Sequence, residues 1–256
     1  MELLSDERKH KILNLIDQHG KVSVRQLALD FNVSTETVRR DLDELATKNL
    51  LKKVYGGALR IETTRNEPTI MERNITNQVE KKRIGEQAAS ITEDGDVIFI
   101  DEGSTTLQMI PALVGKSGLM VITNFFPIVK ALMEYEQKKQ FDGDIIFLGG
   151  HVHSAHGRTG GSFTKTMAQS FFPDKAFISL DGIEPKIGMT GYHPEKCSLS
   201  ELFIYQAKQV YALADHSKLG VTANYKIESL TAFDHVICNA DAPANWDIKG
   251  LDWITC

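Results

Sequence analysis

The amino-acid sequence predicts an α/β protein with two domains, a small N-terminal one and a larger one built on a mainly parallel sheet. Three helical segments and a hairpin fill the first 61 residues, whereas short apolar runs alternate with helical stretches after residue 96. A polar stretch ending in a proline, residues 61–68, separates the two patterns. We therefore expect a first domain over residues 1–60, a linker and the start of a connecting helix over 61–76, and a second domain over 77–256.

The first two helices are defined by their ends. The sequence predicts one helix over about residues 5–18, with an aliphatic face and a stop at Gly20. The next helix begins after Ser23, whose spacing from Gln26 fits a capping box. Both helices therefore present an apolar face to a common core.

The third helix carries the most specific pattern. Ser34 is placed to cap it, and an apolar stripe follows at i, i+4 and i+7 with Val38 as its first member. Arg40 points nearly opposite that stripe, and Arg39 flanks it. A helix with one buried stripe and an exposed, basic N-terminal half can lie in the major groove of DNA.

A basic hairpin follows this helix. Residues 50–54 are predicted as a strand, Gly56-Gly57 as the turn, and residues 58–61 as the returning strand. Cations on it suit phosphate contacts, so three helices with this hairpin predict a winged helix-turn-helix that binds DNA. The alternative is a solvated charged helix beside an ordinary hairpin. The predicted DNA-contacting residues are Ser34, Thr35, Glu36, Thr37, Arg39, Arg40, Lys52, Lys53, Tyr55 and Arg60.

The distribution of charge along the chain also indicates that only the first domain contacts DNA. The chain has 256 residues and a net charge of −5, but residues 1–60 hold 11 basic against 9 acidic side chains. The remainder holds 18 against 25, and an acidic body would confine DNA contact to the first domain. No apolar run reaches the length of a membrane span and no secretion signal is evident, so we expect a cytoplasmic protein with its three scattered cysteines reduced.

Unusual residues follow the predicted strands of the second domain. The strands are residues 96–100, 120–123, 145–148, 176–180, 210–214 and 235–238, with a long helix before them over about 71–91. Parallel sheets bind ligands at the carboxyl ends of their strands. Glycines, hydroxyls, carboxylates and a lysine at these ends suit a phosphorylated polyol, although each alone would be an ordinary cap, turn or surface cation. The predicted effector-binding residues are Asp101, Gly103, Ser104, Thr105, Thr106, Thr123, Asn124, Gly150, Asp181, Glu184 and Lys218.

Three histidines raise a second possibility for this domain. His151, His153 and His156 could approach a metal, because alternate residues of a strand share one face. No cysteine or carboxylate lies nearby in sequence, and a Gly-Gly pair leads into the segment. We therefore expect loop histidines that line the effector pocket, with no metal and no cofactor.

Both domains resemble one family. Residues 8–58 resemble the DNA-binding domain of the DeoR family of bacterial sugar-operon regulators, through Val33-Ser34-x-x-Thr37-Val38-Arg39-Arg40-Asp41-Leu42 and Gly56-Gly57-Ala58. Tyr55 departs from the histidine usual there. Residues 77–240 resemble the family's effector domain, which implies a fold shared with sugar-phosphate isomerases and a phosphosugar effector. Residues 103–111 are similar to the glucitol (sorbitol) repressor branch.

One departure bears on enzyme activity. The family commonly has a lysine early in the helix after the Gly-x-Thr loop, and linear alignment places Ser200 there. Its absence disfavours the alternative of a sugar-phosphate isomerase carrying a DNA-binding module. The resemblance thus implies a homo-oligomeric repressor of a carbohydrate operon, which binds operator DNA and a phosphorylated sugar or polyol. A DNA-binding protein with an inactive sensor is a third possibility, disfavoured by the retained residues 103–106.

Overall fold

The computed structural model describes residues 5–47, 50–59 and 67–256. The chain divides into two compact units, one of Met1–Thr64 with Met71–Asn77 and the other of Arg65–Ile70 with Gln78–Cys256. Arg60 and most of the predicted linker lie outside the described residues. Among the described helices, none combines the length and apolar character needed to cross a membrane. All three cysteines are free.

The first unit holds three helices, a small sheet and one further short helix. These are α1 (Ser5–His19), β1 (Lys21–Ser23), α2 (Val24–Asp30), α3 (Thr35–Thr47), β2 (Lys52–Val54), β3 (Gly57–Leu59) and α4 (Ile70–Ile75), whose first residue falls in the second unit. The predicted cap of α2 is confirmed, since the Ser23 hydroxyl accepts a hydrogen bond from the Gln26 amide at 3.1 Å. The other half of the capping box does not form, because the Gln26 side chain donates to Asp30 instead.

The apolar stripe of α3 forms the centre of this unit's core. Val38 and Leu42 are fully buried, and they pack with the apolar faces of α1 and α2. A buried ion pair also ties α1 to α3, with the Arg8 guanidinium donating to both carboxylate oxygens of Asp41, at 2.5 and 3.0 Å. The orientation of α3 is thus fixed from within, and its polar face is left to solvent.

The hairpin is part of a three-stranded sheet with the order β1-β3-β2. The predicted turn is wrong by one residue: Val54 pairs with Gly57, so the turn is Tyr55-Gly56. Gly56 has a φ of +81°, which glycine adopts without strain. The sequence also did not predict β1, a strand of three residues. A Cβ on Gly57 would lie 2.0 Å from the Val22 carbonyl oxygen, so glycine lets β1 and β3 approach.

The single connecting helix predicted over residues 71–91 is two helices. The first is α4, and the second is α5 (Gln78–Ile91). Asn77 lies between them with a φ of +50°, a left-handed conformation that interrupts the helical path and that asparagine tolerates better than most residues. The two units thus meet in sequence at this break.

A seven-stranded sheet with helices on both faces organises the second unit. Its remaining elements are β4 (Val97–Ile100), α6 (Ile110–Leu113), β5 (Met120–Thr123), α7 (Phe126–Gln137), β6 (Asp144–Phe147), β7 (His151–His153), β8 (Arg158–Gly160), α8 (Ser162–Ala168), β9 (Lys175–Ser179), β10 (Gly182–Glu184), β11 (Gly188–Gly191), α9 (Pro194–Gln206), β12 (Gln209–Ala214), β13 (Tyr225–Glu228), β14 (His235–Cys238) and β15 (Asp252–Thr255). The strand order is β15-β14-β12-β9-β4-β5-β6, and every pairing is parallel. The predicted α/β fold is confirmed.

Alternate strand residues face two different cores. Phe99 and Ile122 pack with α9 on one face, whereas Ile98 and Val121 pack with α5, α6 and α7 on the other. From β4 the chain proceeds outward through β5 and β6, and then returns to β9 on the other side of β4. The carboxyl ends of β4 and β9 therefore form the topological switch point, where open α/β sheets bind ligands.

Two small antiparallel sheets lie outside the predicted pattern. One has the order β10-β11-β13 and the other pairs β7 with β8. His151 and His153 therefore lie on a strand, and their prediction as loop residues is wrong. The returning strand β8 supplies the hydrogen-bond partners that a loop would lack.

Candidate functional sites

The exposed face of α3 presents the predicted base-reading side chains. The Ser34 hydroxyl accepts a hydrogen bond from the Thr37 amide at 3.0 Å, which confirms the cap. Arg39 and Arg40 are exposed, and Arg39 approaches Glu36 at 3.5 Å. An exposed pair of this kind is held weakly, so both arginines are available to a partner.

A concave surface of about 770 Å³ lies between α2, α3 and the wing. Among the side chains that the structure describes, three cations line it: Arg39, the wing residue Lys53, and Arg25 of α2, which sequence analysis missed. Arg25 follows the Ser23 cap, and the unpredicted β1–β3 pairing brings that end of α2 against the wing. The lining residues are Ser23, Val24, Arg25, Thr35, Arg39, Lys53, Val54, Tyr55, Gly56 and Gly57.

Two of the predicted wing residues, Lys53 and Tyr55, are exposed. Tyr55 is fully exposed at the turn. The Lys53 ammonium lies 2.5 Å from a carboxylate oxygen of Asp43, and both side chains reach solvent. Lys52 is the first residue of β2. Since exposed ion pairs contribute little, a DNA phosphate can replace Asp43 as the partner of Lys53.

In the second unit, the switch point is filled by buried polar groups centred on Asp101. One oxygen of its carboxylate accepts from the Glu102 amide at 2.9 Å, and the other from the Ser179 amide at 3.2 Å and the Ser200 hydroxyl at 2.9 Å. Burial raises the pKa of Asp101, against the opposing effect of Lys196 and of these hydrogen bonds. Residues from β4, β9 and α9 thus meet at one carboxylate.

The family commonly has a lysine at the position of Ser200. In this protein Lys196 provides the ammonium group instead. Its ammonium lies 3.4 Å from Asp101 Oδ2 and donates to the Ser179 carbonyl oxygen. Residues 196 and 200 are one helical turn apart, so both side chains reach the same carboxylate. Burial alone would lower the pKa of Lys196, but Asp101 and Asp181 hold it above its ordinary value. The serine at position 200 therefore does not leave Asp101 without an ammonium partner.

The loop after β4 has donors with no acceptor. The amides of Gly103, Ser104 and Thr105, and the hydroxyls of Ser104 and Thr105, have no hydrogen-bond partner in the part of the chain that the structure describes. Thr106 is used differently, because its hydroxyl donates to the carbonyl oxygens of Asp101 and Gly103. Three amides and two hydroxyls are thus free to bind an anion.

The predicted residues at and after the ends of β5 and β6 mostly hold the surrounding loops in place, and one of them has an acceptor oxygen without a partner among the described residues. Thr123 accepts from the Phe125 amide at 3.1 Å, and Asn124 donates to the Thr159 carbonyl at 2.8 Å. Oδ1 of Asn124 is buried and has no partner among the described residues. A Cβ on Gly150 would lie 2.1 Å from the Thr164 hydroxyl, so this glycine allows close packing.

The last three predicted effector residues, Asp181, Glu184 and Lys218, have different surroundings. Asp181 accepts from the Tyr192 amide at 3.2 Å and lies close enough to Lys196 to raise its pKa. Glu184 is turned away, because its carboxylate accepts from the two amides of the β10–β11 turn, at 2.8 and 3.2 Å. Lys218 is half-buried and lies near Asp215, whose pKa falls because Lys218 and other donors outweigh the effect of burial.

Sequence analysis missed Arg158 altogether. The two terminal nitrogens of its buried guanidinium donate to the two carboxylate oxygens of Glu67, at 2.5 and 2.7 Å. One of these nitrogens also donates to Glu102 at 2.7 Å. The only sequence signal was an arginine within a glycine-rich stretch, residues 157–161. Arg158 and the desolvation of the ring together lower the pKa of the neighbouring His193.

The histidines form a cluster without a metal geometry. The rings of His151 and His153 are 4.8 Å apart, and those of His153 and His193 are 5.1 Å apart. His153 also lies 3.0 Å from a carboxylate oxygen of Glu195. Across residues 5–47, 50–59 and 67–256, no three His, Cys, Asp or Glu side chains are placed to hold a metal ion.

A winged helix with an exposed basic face, joined to an α/β unit with a polar site at its switch point, defines the class of ligand-controlled DNA-binding regulators. Residues 8–64 match the DeoR-like helix-turn-helix domain, and residues 76–240 match the DeoR C terminal sensor domain. The chain therefore belongs to the DeoR family, which makes it a DNA-binding transcriptional regulator rather than an enzyme.

Two named regulators are similar to most of the chain, and one solved structure is similar to part of it. The chain is 36% identical to the uncharacterized HTH-type transcriptional regulator FruR of Bacillus subtilis, over 85% of this chain and 84% of that protein. It is 31% identical to the glycerol-3-phosphate regulon repressor of Escherichia coli, over 93% and 92%. A solved ribose 5-phosphate isomerase from Methanocaldococcus jannaschii is 20% identical, with a TM-score of 0.41 over 56% of this chain and 55% of that one.

Proposed function

We propose that this regulator represses a carbohydrate-utilisation operon in the cytoplasm and is released by a phosphorylated sugar or polyol. The observation that carries the proposal is the unpaired donor set of residues 103–105, with three amides and two hydroxyls on one loop at the switch point. Amide donors arranged in this way bind phosphate oxygens without requiring a side-chain charge. The names of the relatives point to the same class of operon.

The rest of the effector then lies against the polar groups around Asp101. Carboxylates accept hydrogen bonds from sugar hydroxyls, and the Asp101 and Asp181 carboxylates are both at this strand edge. Asn124 contributes a buried carbonyl oxygen that lacks a donor among the described residues, so a ligand hydroxyl satisfies it. Lys218, which follows β12, is retained as a cation of the proposed site, whereas Glu184, whose carboxylate is bound to its own turn, is not.

The DNA site is the exposed face of α3 with the wing. Arg39 and Arg40 enter the major groove, and Lys53, Tyr55 and Arg25 contact the phosphates on either side. One such domain reaches few base pairs, so the regulator acts as a homo-oligomer on a two-fold operator.

Calorimetry with a panel of ligands tests the effector class. Glucitol 6-phosphate comes first, because residues 103–111 resemble the glucitol branch, and glycerol 3-phosphate second, because of the relative that carries its name. Each is paired with its unphosphorylated form as a matched control, and the affinity for an operator selected from random DNA is measured with and without each ligand. The proposal fails if unphosphorylated compounds bind as tightly as phosphorylated ones, or if none changes operator affinity.

Limited proteolysis tests the domain assignment. The polar residues 61–68 should be cut first. The fragment of residues 77–256 should remain folded and oligomeric but lose DNA binding. A monomeric fragment that still binds the operator would contradict the assignment of both roles.

A further inference from the structure

A buried ion triad joins the free-donor loop to the segment that precedes α4. Its members are Glu67, Arg158 and Glu102, whose side chains are 8%, 2% and 3% exposed. Glu102 directly precedes the loop of residues 103–105, and Arg158 begins β8. The guanidinium is therefore positioned at the edge of the proposed phosphate site.

The triad holds two carboxylates on a single guanidinium. Glu67 takes the bidentate place, with both of its oxygens on Arg158, and Glu102 takes one further bond. A phosphate monoester offers the same pair of oxygens to the guanidinium fork and carries more charge than a carboxylate. Phosphate is thus a direct competitor for the place of Glu67.

Stability alone does not account for this arrangement. Burying three charges is costly, and apolar residues of similar volume commonly give equal or greater stability. The triad itself has a net charge of −1, and its Glu102 shares the neighbouring Lys196 with the buried carboxylates of Asp101 and Asp181. An anion that binds while Glu67 stays in place is repelled by the Glu67 carboxylate. An anion that replaces Glu67 displaces this carboxylate and so removes the repulsion.

We propose that Arg158 binds the phosphate of the effector, and that Glu67 occupies this place in the effector-free protein. The inference rests on the proposed function, since it requires a phosphorylated effector. Glu67 lies three residues before α4, whose residues from Met71 onward belong to the unit that carries the winged helix. Displacing Glu67 therefore also releases the start of the connection between the units, which is held by the bond from the Ile70 amide to the Ala155 carbonyl, at 3.2 Å.

The Glu67→Gln variant tests the exchange in the full chain, with inorganic phosphate and glycerol 3-phosphate as probes. Glutamine keeps the shape but loses the charge, so phosphate affinity should rise by about 5-fold or more and ligand-free operator affinity should fall similarly. The exposed Glu86→Gln variant is the matched control and should behave as wild type. Wild-type values of both affinities in Glu67→Gln would overturn the proposal.

One further measurement adds a second substitution to that variant, and another uses the wild-type protein. A Glu67→Gln, Arg158→Lys protein keeps the positive charge at position 158 but loses the paired N–H donors of the guanidinium. The gain in phosphate affinity expected for Glu67→Gln should therefore disappear. In the wild-type protein, phosphate should accelerate hydrogen exchange at the Ile70 amide. Unchanged exchange with phosphate bound would overturn the proposal. If no phosphorylated compound alters operator affinity, the proposed function is wrong as well. If phosphorylated compounds do alter operator affinity but the affinity changes of Glu67→Gln and the faster exchange at Ile70 are absent, only the proposed role of Arg158 is wrong.

Discussion

The ammonium of Lys196 lies 3.4 Å from Oδ2 of Asp101, and both side chains are fully buried. The ion pair joins α9 to the end of β4, next to the loop with the free donors. Ser200, one turn further along α9, donates to the same oxygen. Two positions on one helix face can therefore deliver a donor to this carboxylate.

This geometry predicts that the ammonium can be moved by one turn. Lys196→Ser should weaken the response of operator binding to the effector, because the buried carboxylate loses its charge partner. Adding Ser200→Lys should restore the response, since the new side chain approaches the same oxygen. Titrating operator affinity against effector measures both variants. Equal responses in wild type and Lys196→Ser would show that this cation has no part in the site.

Replacing Arg40 with alanine should weaken operator binding by about 1–3 kcal/mol if it reads a base, and should relax preference at that base pair. The control is Lys130→Ala, an exposed cation of the second unit. Affinities are measured at one salt concentration. Unchanged affinity in the Arg39→Ala, Arg40→Ala double variant would remove α3 from the major groove.

Lys53→Ala should act on all DNA sequences alike. A wing lysine that neutralises one phosphate releases about one counterion, so the slope of log affinity against log salt should decrease by about 0.9. Arg25→Ala should give a similar change, because Arg25 lines the same concave surface. A slope that both variants leave unchanged would place the wing away from the DNA backbone.

Ser104→Asp should give a repressor that cannot be induced. The new carboxylate would lie among the free amides and take the place of the phosphate, while the winged helix is untouched. Operator affinity without effector should equal that of wild type, and the effector should no longer lower it. A variant that still responds would show that the phosphate binds elsewhere.

The stability of the second unit should decrease below about pH 6.5 because of His193. Burial and the Arg158 charge lower the pKa of His193 below its ordinary value of 6.5, and the effect of Glu67 opposes them. The unfolded chain therefore binds a proton before the folded one does, and stability is lost as the pH falls through this range. Both tryptophans, Trp246 and Trp253, lie in this unit, so urea unfolding followed by their fluorescence reports it.

His193→Gln should flatten this part of the pH profile, whereas the exposed His216→Gln should not. The comparison is made at about pH 7.5 and about pH 5.5, on either side of the ordinary histidine pKa. An equal loss of stability in both variants and in wild type would assign the effect to other groups.

Local patterns were sufficient for much of the fold. The stripe of α3 and the apolar runs of six parallel strands are visible in sequence, because core-facing residues repeat with the period of the element. Strand β1 was missed because its three residues carry no readable period. Strand β15 was missed because an edge strand of four residues is only half buried.

The buried charges could not be predicted in the same way. Lys196 and Arg158 resemble ordinary surface cations in sequence, since lysine and arginine are buried only when paired. Their partners, Asp101, Glu67 and Glu102, are far away in the chain, and only the folded sheet brings them together. The free donors of residues 103–105 were predictable as a loop, but their lack of acceptors is a property of the fold.

The position of β4 in the middle of the sheet has a consequence for the growing polypeptide. Asp101 obtains Ser179, Lys196 and Ser200 only when α9 has been made, because those partners follow it by most of the unit. The first unit is complete once residue 77 has been made, and domains generally fold N-terminal first during synthesis. A nascent chain therefore presents its DNA-reading surface well before it can sense the sugar, so ribosome-bound or prematurely terminated chains lack the control that the finished protein has.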